Sequence, residues 1–218
     1  MELLVFQKNE EKAHPMEMYM RNQFSFAGVP KPERWKLQQT LLRESKVLDV
    51  PDLFFLVFYY YEKKEREYQY LAIDLIQQNI KRLSLDELVE LSVLVPEKAW
   101  WDTIDAWRKV YATWCKLHME QLETVSLLFE KKEDFWLRRI AITLQLGFKE
   151  ATNQLFLDRV ITEDRFSKEF FIQKAIGWAL RDYSKTNVSW VKEQLTKEWS
   201  ALTRREASIY KKVSRLKK

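Results

Sequence analysis

SKEFFIQKAIGWALRDYSK, residues 167–185, decides how the rest of the chain is read. It has no proline and one glycine, and its apolar residues recur at helical rather than alternating spacing. Lys174, Trp178, Arg181 and Lys185 fall at i, i+4, i+7 and i+11 and form one stripe. Phe171, Ala175, Leu180 and Tyr183 lie largely off that stripe and are expected on the core side. A basic stripe with an aromatic at its middle suits a phosphate backbone plus one stacking or sugar contact. A solvated Lys/Arg face with Trp178 tucked against a neighbour would look the same, so spacing alone leaves both open. Gly177 costs such a helix about 1 kcal/mol relative to Ala. Its presence points to close approach of another helix or of a ligand.

Working outward, the same periodicity runs nearly end to end. Helices are expected near 8–25, 32–46, 51–60, 64–81, 85–94, 98–114, 119–130, 134–147, 151–161, 167–183, 188–197 and 202–216. Ser84 and Glu87 have the spacing of a capping box. Pro51 and Pro96 sit near expected helix starts, where a missing N–H costs least. Gly28 is placed to end the first helix, and Pro32 to open the second. Short connections should fold successive helices into antiparallel pairs. The pairs recur roughly every 35–40 residues, near the HEAT period. The expected fold is therefore all-α: an α-solenoid of HEAT-like pairs forming a single domain over 1–218, whose concave face is a natural binding surface.

Composition agrees with that class. The 218 residues are 46% hydrophobic, enough for a substantial core, with 3 Gly and 5 Pro, too few for the tight turns of a sheet protein. One cysteine, Cys115, excludes an internal disulfide, and beside only His14 and His118 it argues against a zinc site. The start MELLVFQKNEEKAH has neither the basic start nor the cleavage site of a signal peptide. No run approaches 18 apolar residues, and LFFLVFYYY at 53–61 reads as a core helix. A soluble, cytoplasmic protein with no membrane partner is expected. Net charge is +5, but residues 201–218 carry 7 of the 37 Lys/Arg against one acidic residue, leaving the rest nearly balanced. A face for nucleic acid must then come from charge segregated by the fold.

Three further segments carry chemistry. In KAWWDTID, 98–105, Trp101 and Asp105 are four apart and share a helix face, whereas Asp102 sits about 100° away. A carboxylate beside an indole can stabilise a developing cation or orient a water, although Trp in a helix is more often core and Asp more often solvated. In FWLRRIAI, 135–142, Leu137, Ile140 and Ala141, with Leu144 beyond, form the expected buried stripe. Arg138 and Arg139 flank it, and one could point into a cleft, although an Arg here is ambiguous alone because helix-end Arg is common. In the segment 16–34, Tyr19 suits either core or cleft. Cys115 reads as a small core residue, and a Cys115–His118 nucleophile has no further support. No Walker loop, dinucleotide fingerprint or HExxH motif is present.

Taken together, KAWWDTID, FWLRRIAI and SKEFFIQKAIGWALRDYSKTN, in this order, resemble the AlkD family of bacterial DNA glycosylases, built from HEAT-like repeats. The resemblance spans about residues 11–212. It implies a C-shaped solenoid holding duplex DNA on an electropositive concave surface. It implies a catalytic set of Trp101, Asp105 and Trp178, a cleft Arg139, a cleft Tyr19 and a backbone-contacting Arg181. Arg139, Arg181 and Lys174 would hold phosphates, and Lys185 and Tyr19 would add further DNA contacts. It further implies removal of 3-alkyl and 7-alkyl purines without flipping the base. No cofactor or metal is expected, and a C-shaped clamp can work as a monomer. One position departs from the pattern: Gly147 stands where a basic residue is expected. Two other readings stay open, a non-catalytic binder of distorted or branched DNA and a protein-interaction scaffold. The first has no use for Asp105, because a negative charge in a DNA groove opposes binding.

Overall fold

The computed structural model describes residues 3–208. Among these the backbone forms twelve α-helices and no strand, one helix overlapping each expected segment. The last expected helix runs on into 209–216, which lie outside the described residues. The helices fall into two compact units, residues 1–84 and 85–218.

The first unit holds α1 (Glu10–Tyr19), α2 (Lys31–Glu44), α3 (Val50–Glu62) and α4 (Arg66–Asn79). Its centre is the α3/α4 pair, where Leu53, Val57, Tyr60, Leu71, Ala72, Leu75 and Ile76 are fully buried. α3 is the apolar run at 53–61, started by Asp49, whose side chain accepts the Asp52 N–H with Pro51 in the first turn. The residues before α1 are pinned to this pair: the hydroxyls of Tyr60 and Tyr68 accept the backbone N–H groups of Leu4 and Phe6 at 2.8 and 3.0 Å.

α1 stops at Tyr19, short of the expected 25, because Arg21 and Asn22 adopt left-handed backbone (φ 55° at both). Gly28 therefore does not end the helix. It lies in the following loop at φ 86°, pressed against α1, where a Cβ would come within 2.1 Å of the Asn9 carbonyl oxygen. The loop is tied to α4 by Glu67, a buried carboxylate that accepts the N–H groups of Ala27, Gly28 and Val29 at 2.9, 3.0 and 3.0 Å. Three donors converge on one anion, which offsets the cost of burying it.

The second unit holds α5 (Leu85–Leu91), α6 (Trp101–Leu117), α7 (Leu122–Ser126), α8 (Phe135–Thr143), α9 (Gln154–Glu163), α10 (Phe170–Tyr183), α11 (Val188–Gln194) and α12 (Ala201–Ala207). α10 packs on both α8 and α12, and α6 packs on α8. α6 begins at Trp101 rather than 98, because Lys98 is left-handed (φ 51°) and Trp100 extended. Pro96 thus sits in the preceding turn and not at the helix start. Ile104, Trp107, Val110, Tyr111 and Cys115 of α6, Ile140 of α8 with Leu144 just beyond its end, and Ala175, Ile176 and Leu180 of α10 are all buried. Leu137 is only half-buried, as are Phe171 and Tyr183, so three residues expected in the core lie at its edge.

Candidate active site

Period and caps fix where the site can form. Asp134 caps α8, its side chain accepting the Trp136 N–H, which sets the helix so that Arg139 turns inward. Arg139 is 5% exposed, and its Nε and Nη2 donate to Oδ1 and Oδ2 of Asp105, both at 3.1 Å. Its Nη1 donates to the Phe171 carbonyl of α10 at 2.8 Å. Residue spacing left Arg138 and Arg139 as alternatives for the cleft, and the resemblance pointed to Arg139. Arg138 turns instead to Asp164 and to the carbonyls of Lys132 and Glu133.

A cleft of about 280 Å³ opens beside this pair, lined by Trp101, Asp105, Arg139, Phe171, Lys174, Trp178, Arg181 and Glu206. Six residues singled out from the sequence are thus brought to one place by α6, α8 and α10. Asp102 does not line the cleft, as its angular offset predicts. The Asp105 side chain is about a quarter exposed, enough to meet a water or a ligand. Burial pushes its carboxyl above the usual range, while the Arg139 charge and hydrogen bonds and the Arg108 charge pull it back. The twofold Arg139 contact suits the ionised form.

Phe171 and Glu206 are site residues that sequence reasoning missed. Phe171 packs on Trp136 and Trp100, with ring centroids at 4.8 and 5.8 Å, and holds the cleft wall while its carbonyl anchors Arg139. Glu206 arrives from α12 and meets Arg181, whose Nη1 donates to the Glu206 backbone carbonyl at 2.9 Å and lies 3.3 Å from its carboxylate. α12 can approach because residue 177 is glycine. A Cβ there would lie 2.4 Å from the Glu206 Cβ and 2.8 Å from the Thr203 carbonyl oxygen. The Thr203 hydroxyl also donates to the Gln173 carbonyl of α10 at 3.1 Å. Of the two roles the sequence allowed for Gly177, the close helix contact is the one present. Gly177→Ala is expected to destabilise the protein by up to about 2 kcal/mol. Crowding a packed contact costs about 1–3 kcal/mol, more than the roughly 1 kcal/mol of helix propensity gained. Thermal denaturation measures it, and an unchanged melting temperature would mean that α12 yields freely.

The remaining candidates are not among the residues lining this cleft. Tyr19 ends α1 in the first unit and is 70% exposed. Lys185 pairs with Asp182 at 2.9 Å and lines a second hollow of about 210 Å³, with Gly147, Lys149 and Tyr183 among its walls. Gly147 is left-handed (φ 76°), its N–H donates to Asp182, and its carbonyl accepts from the Lys116 Nζ at 3.0 Å. An ammonium from α6 thus stands beside the position where the sequence lacks a basic side chain. Cys115 is fully buried, its thiol pushed up to about 12 by burial, and His118 stacks on Trp114 with centroids 4.2 Å apart. No thiolate nucleophile is available there. Among the described residues no three His, Cys, Asp or Glu side chains converge to hold a metal ion, and no helix is long and apolar enough to cross a membrane.

Comparison with known proteins shows the family. A predicted DNA alkylation repair enzyme from Enterococcus faecalis is 52% identical, over 95% of this chain and 98% of its own, with a TM-score of 0.94. AlkD2 from Streptococcus mutans, at 22% identity over 88% and 97% of the two chains, shares the fold with a TM-score of 0.65. The smu.31 protein of Streptococcus mutans UA159 does so at 20% identity over 91% and 96%, with a TM-score of 0.63. No curated protein matches the chain. The family described as DNA alkylation repair enzyme matches residues 1–210, and the chain belongs to that family.

Proposed function

We propose that the chain is a DNA glycosylase that hydrolyses the N-glycosidic bond of cationic 3-alkyl and 7-alkyl purines in duplex DNA, with the lesion left in the stack. The observation that carries the proposal is the convergence of Trp101, Asp105 and Trp178 on one cleft, with the carboxylate gripped by Arg139. A purine alkylated at a ring nitrogen already bears a positive charge. When its bond to C1′ breaks, the bonding electrons neutralise the base, so no proton donor is needed. The cleft accordingly has no histidine. Positive charge then develops on the deoxyribose, and Asp105 stabilises it and orients the water that attacks C1′. Arg139 fixes the carboxylate in place, and each carboxylate oxygen keeps a lone pair for the water. Trp101 and Trp178 offer ring faces to the sugar and to the cationic nucleotide.

Lys174 and Arg181 hold phosphates, with Lys185 and Tyr19 as further DNA contacts, and the chain acts as a monomer of HEAT-like helix pairs. Binding then weakens as salt rises. Arg181 must exchange Glu206 for phosphate, so part of its gain on binding offsets the lost pair. The test is release of free 7-methylguanine and 3-methyladenine from a defined duplex, with spontaneous depurination subtracted. No release, with salt-sensitive duplex binding retained, would make the protein a non-catalytic binder.

The rate should also depend on pH through Asp105. Its active form is ionised, and burial raises its protonation midpoint. Excision should therefore be full at neutral pH and fall on acidification, starting above the range of an ordinary aspartate. A rate that stays flat through that region would remove Asp105 from the chemistry.

A further inference from the structure

We infer that Arg108, which lies outside the set read from the sequence, is a positioning residue of this site: its guanidinium backs the Trp178 indole and sets a second positive charge beside the Asp105–Arg139 pair. The inference rests on the proposed function for its consequence, but not for its geometry. Arg108 follows Asp105 by three residues on α6, so the two share a helix face. Its Cζ lies over the Trp178 ring of α10, 5.7 Å from the centroid. The side chain is largely enclosed, and its Nε is buried with no hydrogen-bond acceptor among the described residues. Enclosing a donor that meets no acceptor is costly, so the position of this side chain calls for a compensating attraction. The indole face is one source. The carboxylates of Asp105 and Asp182 are the other, since both favour its charged form while burial and Arg139 oppose it.

The division of labour between the two arginines follows from the contacts. Arg139 takes both oxygens of Asp105 and fixes where the carboxylate points. Arg108 makes no bond to it and acts through its field and through the ring. The other charged groups lining the cleft are Lys174 and Arg181 on α10 and Glu206 on α12, and Asp102, outside the cleft on α6, opposes the ionised Asp105 through its charge. Neutralising Arg108 leaves the Asp105–Arg139 contact in place yet makes the carboxylate easier to protonate. It also leaves Trp178 free to tilt. A merely structural arginine would change stability and neither of these.

The experiment follows the Asp105 carboxyl carbon by NMR titration in the free protein, assigned with Asp105→Asn. The native chain is compared with Arg108→Gln, Arg108→Met and Arg108→Lys. The Met variant keeps the apolar stem should Gln fail to fold. Either neutral variant should move the Asp105 midpoint to higher pH, and Lys should restore it. In excision, the acid limb should move the same way in the neutral variants. The Lys variant should keep the native limb but reach a lower plateau, because an ammonium does not cover an indole as a planar guanidinium does. An unmoved midpoint in a folded neutral variant overturns the inference. A moved midpoint in a protein that excises nothing supports the placement of charge and overturns the proposed function instead.

Discussion

Asp105→Asn is expected to lower the rate of 7-methylguanine release by about 10²–10³-fold, the range seen when one preorganised electrostatic stabiliser is removed. The amide keeps the volume of the carboxylate and one acceptor for Arg139, so the cleft should stay formed. It carries no charge to set against the oxocarbenium ion. It also presents an N–H₂ to an arginine that has only donors, so Arg139 keeps one bond of the pair and loses the other. DNA affinity should hold or rise slightly, since a negative charge leaves the phosphate path. The measurement is single-turnover excision with binding followed on the same duplex. Unchanged excision would sink the catalytic role of Asp105, and equal loss of binding and rate would make it a folding residue.

Glu67→Ala should have the largest effect on stability, about 3–5 kcal/mol. Burial of the carboxylate is supported by three backbone donors from the loop at 27–29. Truncation strands all three at once, at about 1–3 kcal/mol each before the loop relaxes. In a chain of this length that corresponds to a fall in melting temperature of roughly 10 °C. Gly28 prevents easy relaxation, because the backbone there is already pressed against Asn9. Glu67→Gln should fall between the two, keeping one acceptor while turning a donor toward donors. A melting temperature within a degree or two of native for Glu67→Ala would mean that water replaces the carboxylate.

Much of this molecule is legible in its sequence because an amphipathic helix repeats its own geometry. Trp101 with Asp105, and Lys174 with Trp178 and Arg181, needed only the 3.6-residue period to be placed on common faces. Helix ends were less legible. Arg21, Asn22 and Lys98 adopt the left-handed backbone normally left to glycine, and nothing in an arginine or lysine announces that. Arg108 was within reach, since continuing the Trp101–Asp105 face by one more step arrives at it. Glu206 and the Phe171 carbonyl were not. One comes from a helix 25 positions beyond Arg181, and the other is a backbone atom that no residue type encodes. The choice between Arg138 and Arg139 likewise depended on which carboxylate each would meet across helices.

The approach of α12 to α10 bears on how the molecule breathes. A helix of seven residues cannot sustain itself in water, so α12 exists by virtue of its seat over Gly177. Its free energy of local opening is expected to depend on that seat. Each opening carries Glu206 away from Arg181 and leaves the guanidinium with its donors unclaimed. A phosphate that captures Arg181 in that interval removes one of the ties holding α12 down. Occupancy of the cleft and hydrogen exchange in the last helix are thereby linked, and DNA should loosen the amides of 201–207 while it protects those of α10.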